Sequence, residues 1–161
     1  MTTRADELIN QLGLQPHPEG GFFREVYRSA SAIQAFEPAE IRSAVTTILF
    51  LLKQGQYSRL HQITSDEIWH FYEGDPLELT FGPLDDQGYE RRILGPVATN
   101  QSPVLIVPAN DWQAARTLGE YTLVGCTVAP GFEFRNFRML RDYVDDAERV
   151  RSRYSDLETM I

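Results

Sequence analysis

The chain contains three histidines, His17, His61 and His70, and two of them fall in the short window between Gly55 and Gly74. That window also carries Glu67, six residues after His61. An imidazole beside a carboxylate is equipped for general acid–base work or for holding a metal. The segments YSRLHQI (57–63) and EIWHFYEG (67–74) read as strands joined by the polar turn TSD. Side chains alternate faces along a strand, so Tyr57, Arg59, His61 and Ile63 share one face. By the same rule Glu67, Trp69 and Phe71 share one face of the next strand. If both faces point inward, His61 and Glu67 sit in a lumen walled by Tyr57, Trp69 and Phe71. A few polar groups in an aromatic wall are what a small-molecule site needs. Glu67 and His70 are three residues apart, which on a strand sets them on opposite faces, so His70 is expected outside the site.

The remaining candidates carry less chemistry. The segment His17-Pro18-Glu19-Gly20-Gly21 reads as a loop that closes over a barrel mouth, with its glycines supplying unusual backbone angles. Arg24 and Glu25 read as a charge pair between strands. Cys126, the one cysteine, lies in an apolar run and reads as buried and inert. A single cysteine forms no intrachain disulfide, and its use fits a reducing compartment. There is no glycine-rich phosphate loop, GxSxG elbow or CxxC pair.

The elements that must position these residues are mostly short strands. Residues 22–28, 45–52, 57–63, 67–74, 77–81, 89–94, 103–108 and 121–128 have strand character, and 129–140 adds a turn and one more strand. A helix is expected over 3–12, followed by a loop at 15–21. Leu140, Val144, Ala147, Tyr154, Leu157 and Ile161 recur at helical spacing, which predicts a C-terminal helix near 142–158 covering an edge of the barrel. Strands without alternating helices predict an all-β sandwich or barrel rather than a parallel α/β sheet. The 161 residues suit one domain: helix and loop over 1–20, barrel over 21–140, C-terminal helix over 141–161. A net charge of −8 argues against nucleic acid and anionic membranes as partners. The longest apolar run, 48–52, is far short of a membrane span, and no signal layout opens the chain, so a cytoplasmic protein is expected.

The window around His61 resembles the first motif of the cupins, with Gly55, His61, Glu67 and Gly74 at matching positions and Ile63 where a second metal-binding histidine would stand. The second cupin motif is weaker. Pro108 matches, whereas Asn110, Gln113 and Thr117 replace glycine, histidine and asparagine. The strings HPEGGFFREVYRS (17–29), SDEIWHFYEGD (65–75) and VGCTVAPGFEF (124–134) are similar to the DUF985 group of cupin-like proteins. The resemblance implies a cupin-type double-stranded β-helix, that is, a jelly-roll barrel with short terminal helices. It also implies a likeness to sugar-nucleotide epimerases and germins, and often a homodimer.

The four ligand positions implied by the resemblance read His61, Ile63, Glu67 and Gln113. One imidazole and one carboxylate are too few for a tightly held transition metal, so no metal or other cofactor is expected. A divalent ion at His61, Glu67 and Gln113 is the alternative. The leading functional reading is a cupin-like protein that binds a small polar or sugar-like ligand. In that reading it acts as a metal-independent isomerase or epimerase at a carbonyl compound, with His61, Glu67 and Tyr57 catalytic. Arg59, Ile63, Trp69, Phe71 and Gln113 are then expected to contact the ligand. A non-catalytic binding protein and a metal-dependent cupin enzyme with substituted ligands are the alternatives. Because residues 45–52 are apolar on both faces, either a second subunit or a terminal helix must cover the outer one, and the resemblance points to a homodimer.

Overall fold

The computed structural model describes residues 2–36 and 39–161, with the Phe36 side chain outside the description. A helix α1 (Arg4–Leu12) opens the chain. Thr3 and Asp6 cap it reciprocally, and Gly13 ends it in the left-handed conformation at φ 63°. Its strands are β1 (Gln15–Pro16), β2 (Phe22–Arg28), β3 (Ala32–Phe36), β4 (Ala39–Ser43), β5 (Thr46–Lys53), β6 (Tyr57–Ile63) and β7 (Asp66–Gly74). There follow β8 (Leu77–Gly82), β9 (Glu90–Leu94), β10 (Gln101–Ser102), β11 (Val104–Val107), β12 (Trp112–Thr117), β13 (Tyr121–Ala129) and β14 (Phe137–Met139).

Two six-stranded sheets face each other, in the orders β1-β2-β5-β13-β7-β11 and β10-β9-β8-β12-β6-β14, with β3 and β4 as a separate hairpin. This is the all-β jelly roll expected, since each sheet must bury one apolar face and finds it on the other. Between the sheets lie Phe50, Leu52, Trp69, Leu77, Leu79, Leu94, Val107 and Val124, all essentially excluded from solvent.

The outer face of β5 is also apolar, and α1 covers it. Ala5 and Leu8 pack with Leu51 and Leu123, with Ile9, Leu12 and Leu49 at the margin. The chain's own helix therefore occupies the face that the sequence reading offered to a partner subunit. Among the described residues, no helix is long and apolar enough to cross a membrane.

Several expected elements differ. The hairpin β3–β4 and the strand β12 fall in stretches where sequence pattern assigns no element. In β12 alanines and polar residues replace the β-branched residues that mark a strand, yet it pairs with β8 and β6 on both sides. The single C-terminal helix is instead a 3-10 turn at Leu140–Asp142, then α2 (Val144–Arg153), then a 3-10 stretch at Ser155–Met160. The breaks at Tyr143 and Tyr154 reset the helical phase. Val144 is consequently 66% exposed, while Val150 and Met160 join Leu140, Ala147 and Leu157 against Leu60 and Trp112 on the outside of the second sheet.

Candidate functional site

One end of the lumen opens into a cavity of about 100 Å³ whose floor is polar. His61 and Ile63 reach it from β6, Glu67 from β7 and Cys126 from β13. His17 and Glu19 come from the loop between β1 and β2, which is pushed in between β5 and β6. Two contacts fasten this loop to β6: the Arg59 N–H donates to the Glu19 carbonyl at 2.9 Å, and the Ser58 hydroxyl donates to Glu19 Oε1 at 3.0 Å. Gly20 makes the close approach possible. Its φ is +112°, and a Cβ there would lie 2.1 Å from the Tyr57 carbonyl oxygen.

The polar groups are tied together, and their partners fix where protons sit. His61 Nδ1 lies 2.8 Å from the Arg59 carbonyl, which can only accept, so Nδ1 carries the proton in the neutral ring. Its Nε2 lone pair then faces Glu19 Oε2 at 3.3 Å. His17 Nδ1 accepts from the Glu19 N–H at 3.2 Å and lies 3.5 Å from Glu19 Oε2. Burial pushes the Glu19 carboxyl up to about 8, partly offset by Ser58, so at neutral pH it is an acid that donates to His61. Burial also lowers His17 to about 3 and lowers His61, leaving both rings neutral. Glu67 is raised by burial to about 7. Its Oε2 accepts from Gln113 Nε2 at 2.5 Å, and Gln113 Oε1 accepts from Trp69 Nε1 at 3.0 Å. Burial raises the Cys126 thiol well above its ordinary range, and the nearby Glu67 adds to the shift.

His61, Ile63 and Glu67 therefore share the cavity, with Gln113 and Trp69 behind Glu67 as its support. Phe71 packs deeper, against the apolar core, and does not line the cavity. Tyr57 and Arg59, expected on the inner face, do not line the cavity. Gln113 pairs with His61 but Ala115 pairs with Ser58, so β6 carries one extra residue between 58 and 61. This bulge shifts the alternation by one and turns Ser58, rather than Tyr57 or Arg59, to the same side as His61. Tyr57 packs outside the sheet with Leu60 and Trp112, and Arg59 donates to the Ile161 carbonyl at 3.1 Å. His70 pairs with Gly125, half-buried and outside the cavity. Sequence reasoning gave no role to Glu19 or His17. The signal available was the adjacent Gly20 and Gly21, which mark a backbone forced close to something else.

A metal of the cupin type does not fit these residues. Ile63 offers no donor atom, and both amide atoms of Gln113 are committed to Trp69 and Glu67. Among the described residues no three His, Cys, Asp or Glu side chains are arranged to hold an ion.

Residues 6–140 match the family model described as Cupin superfamily (DUF985). The chain belongs to this cupin family. A hypothetical protein from Leishmania major is 31% identical over 98% of both chains, with a TM-score of 0.85. A Shewanella oneidensis protein of known crystal structure is 35% identical, covering 85% of this chain and 84% of its own, with a TM-score of 0.74. An oxalate decarboxylase variant from Bacillus subtilis shares the fold alone. It is 16% identical, covers 87% of this cupin and 34% of its own chain, and has a TM-score of 0.58. No curated protein matches.

Proposed function

We propose that this cupin binds a small carbonyl compound in the cavity and moves a proton at the carbon next to the carbonyl, as an isomerase does. The observation that carries the reading is the buried Glu19–His61 pair, 3.3 Å apart at the floor of a cavity that also holds Glu67. Two carboxyl groups whose environments differ supply an acid and a base. Glu67, raised only to about 7, is the base: its carboxylate takes the proton from carbon, and the C–H electron pair moves into an enol. Glu19, raised to about 8, is the acid: the proton it holds toward His61 Nε2 passes to the carbonyl oxygen and is taken back when the enol collapses. Returning the two protons to other positions completes an isomerisation and restores the site. His61 thus steadies the acid, a different part from the carbon base the sequence suggested, and Tyr57 takes none.

The test is exchange of carbon-bound hydrogen for solvent deuterium, followed by NMR across a panel of small ketones and aldehydes. Wild type is expected to accelerate exchange for a subset. Glu19→Gln and Glu67→Gln should each lower that rate about 10²–10⁴-fold, the range typical of general acid–base groups. Exchange unchanged in both variants would overturn the reading. The rate should rise with pH through about 7 as Glu67 ionises and fall through about 8 as Glu19 loses its proton, giving a narrow bell whose limbs belong to the coupled pair.

A further inference from the structure

The cavity's mouth differs from its floor in charge as well as depth. Among the described residues, its lining holds four carboxyl groups, the buried Glu19 and Glu67 at the floor and the partly exposed Glu25 and Glu133 at the mouth, against one guanidinium, Arg28. Four of the five N–H groups of Arg28 are engaged. It donates from Nε and Nη2 to the two oxygens of Glu25, both at 2.9 Å, from Nη1 to Glu133 at 3.2 Å, and from Nη2 to the Phe132 carbonyl at 3.0 Å. An anionic ligand would have to break that set to reach it. Arg135 approaches Glu133 at 3.8 Å, but Glu40 holds it at 2.7 Å and it lies outside the lining. Arg42 lies behind the loop, on the Pro130 and Gly131 carbonyls. The mouth itself therefore carries a net negative charge.

Three phenyl rings form a corner beside these carboxylates. Phe132 and Phe134 stand at 84° with centroids 4.9 Å apart, Phe134 and Phe137 at 79° and 6.0 Å, and Phe132 and Phe137 at 65° and 5.9 Å. Steeply inclined rings next to negative charge are the arrangement that holds a methylated cation, since a ring face attracts positive charge and the methyl groups need no hydrogen bonds. The enclosed space of about 100 Å³ suits about four non-hydrogen atoms, since about 150 Å³ takes benzene; that is room for the reacting end of a ligand whose head group lies at the mouth, where Phe134 is 54% exposed.

We propose that the compound bound here carries a positively charged, methylated ammonium-type group seated between Phe132, Phe134 and Phe137 with Glu25 and Glu133 nearby. This rests on the reading that the cavity is the ligand site, and places the reacting end of the molecule toward Glu19 and Glu67.

Three probes of nearly equal shape test it by calorimetry and NMR titration of the full chain: choline, its neutral carbon isostere 3,3-dimethylbutan-1-ol, and the anion 3,3-dimethylbutanoate. Choline should bind about ten-fold tighter than the alcohol, with shifts centred on 132–137, as a cation–π contact of about 1–2 kcal/mol implies. The anion should not saturate. In Glu25→Gln/Glu133→Gln the preference for choline should vanish and binding of the anion should improve. If the alcohol binds as tightly as choline or more so, the cation assignment is overturned while the cavity stands as the ligand site. If none of the three perturbs 132–137 or His61, both fall.

Discussion

The two ends of the lumen share strand β5, whose Thr46 and Ile48 line the cavity and whose Phe50 and Leu52 lie in the apolar core, yet they behave as opposites. At the closed end Leu77, Leu79 and Leu94 meet Phe50 and Leu52 with no accessible surface to speak of, and the contacts are purely apolar. At the open end β6, β7 and β13 present His61, Glu67 and Cys126, and a loop adds Glu19 and His17. The Trp69–Gln113–Glu67 chain of hydrogen bonds marks the boundary. The closed end stabilises the barrel by burial. The open end holds groups in costly protonation states, since burial is the largest of the causes that displace four of them from their ordinary values. Polar groups kept in that condition are the mark of a site rather than a scaffold.

That contrast can be broken most sharply at the closed end. Leu79→Ala removes a fully buried side chain and should cost about 2–5 kcal/mol, lowering Tm by about 5–15 °C while leaving deuterium exchange per folded molecule nearly unchanged. An equal loss of exchange would mean the two ends are not separable. Gly20→Ala comes next. Its Cβ must displace the Tyr57 carbonyl, so the loop shifts and carries Glu19 away from His61. Exchange should fall at least ten-fold with a smaller loss of Tm than Leu79→Ala, as thermal melts beside the exchange assay will show.

The pH dependence of stability sharpens the comparison further, and its sign follows from the direction of each shift. Glu19 and Glu67 keep protons that the unfolded chain releases above about 4.5, so stability declines as pH rises from there to about 8. His17 and His61 refuse protons that the unfolded chain takes up below about 6.5, so stability also declines as pH falls from there toward 3. Between about 4.5 and 6.5 the two trends oppose each other, giving a plateau with a fall on each side. Glu19→Gln should reduce the alkaline fall, raising Tm by several degrees at pH 8 and little at pH 4.5. A wild-type Tm that rises from pH 6.5 to 8 would contradict the protonation states assigned to the open end. The smallest effect belongs to Tyr57→Phe, which should leave exchange within about two-fold of wild type, because the hydroxyl lies outside the barrel wall.

Several features were legible from local chemistry. Alternation and turn residues located most of the strands, and the Thr3 cap with Gly13 bounded the first helix, because these are rules of one segment acting on its own backbone. His61 and Glu67 also reach the cavity on the faces their spacing suggests. The bulge between Ser58 and His61 was not legible. One unpaired residue is set by how β6 meets β12, and it exchanges Ser58 for Tyr57 and Arg59 at the site. Nor was the partner of His61, which lies forty-two positions earlier in the chain and arrives only because a glycine-bearing loop is wedged between two strands. What the sequence determined by itself was the class of fold and the donors on two strands, through periodicity and residue type. Which carboxyl meets which imidazole, and at what protonation state, was decided by the tertiary structure alone, since burial and proximity exist only once distant segments are packed together.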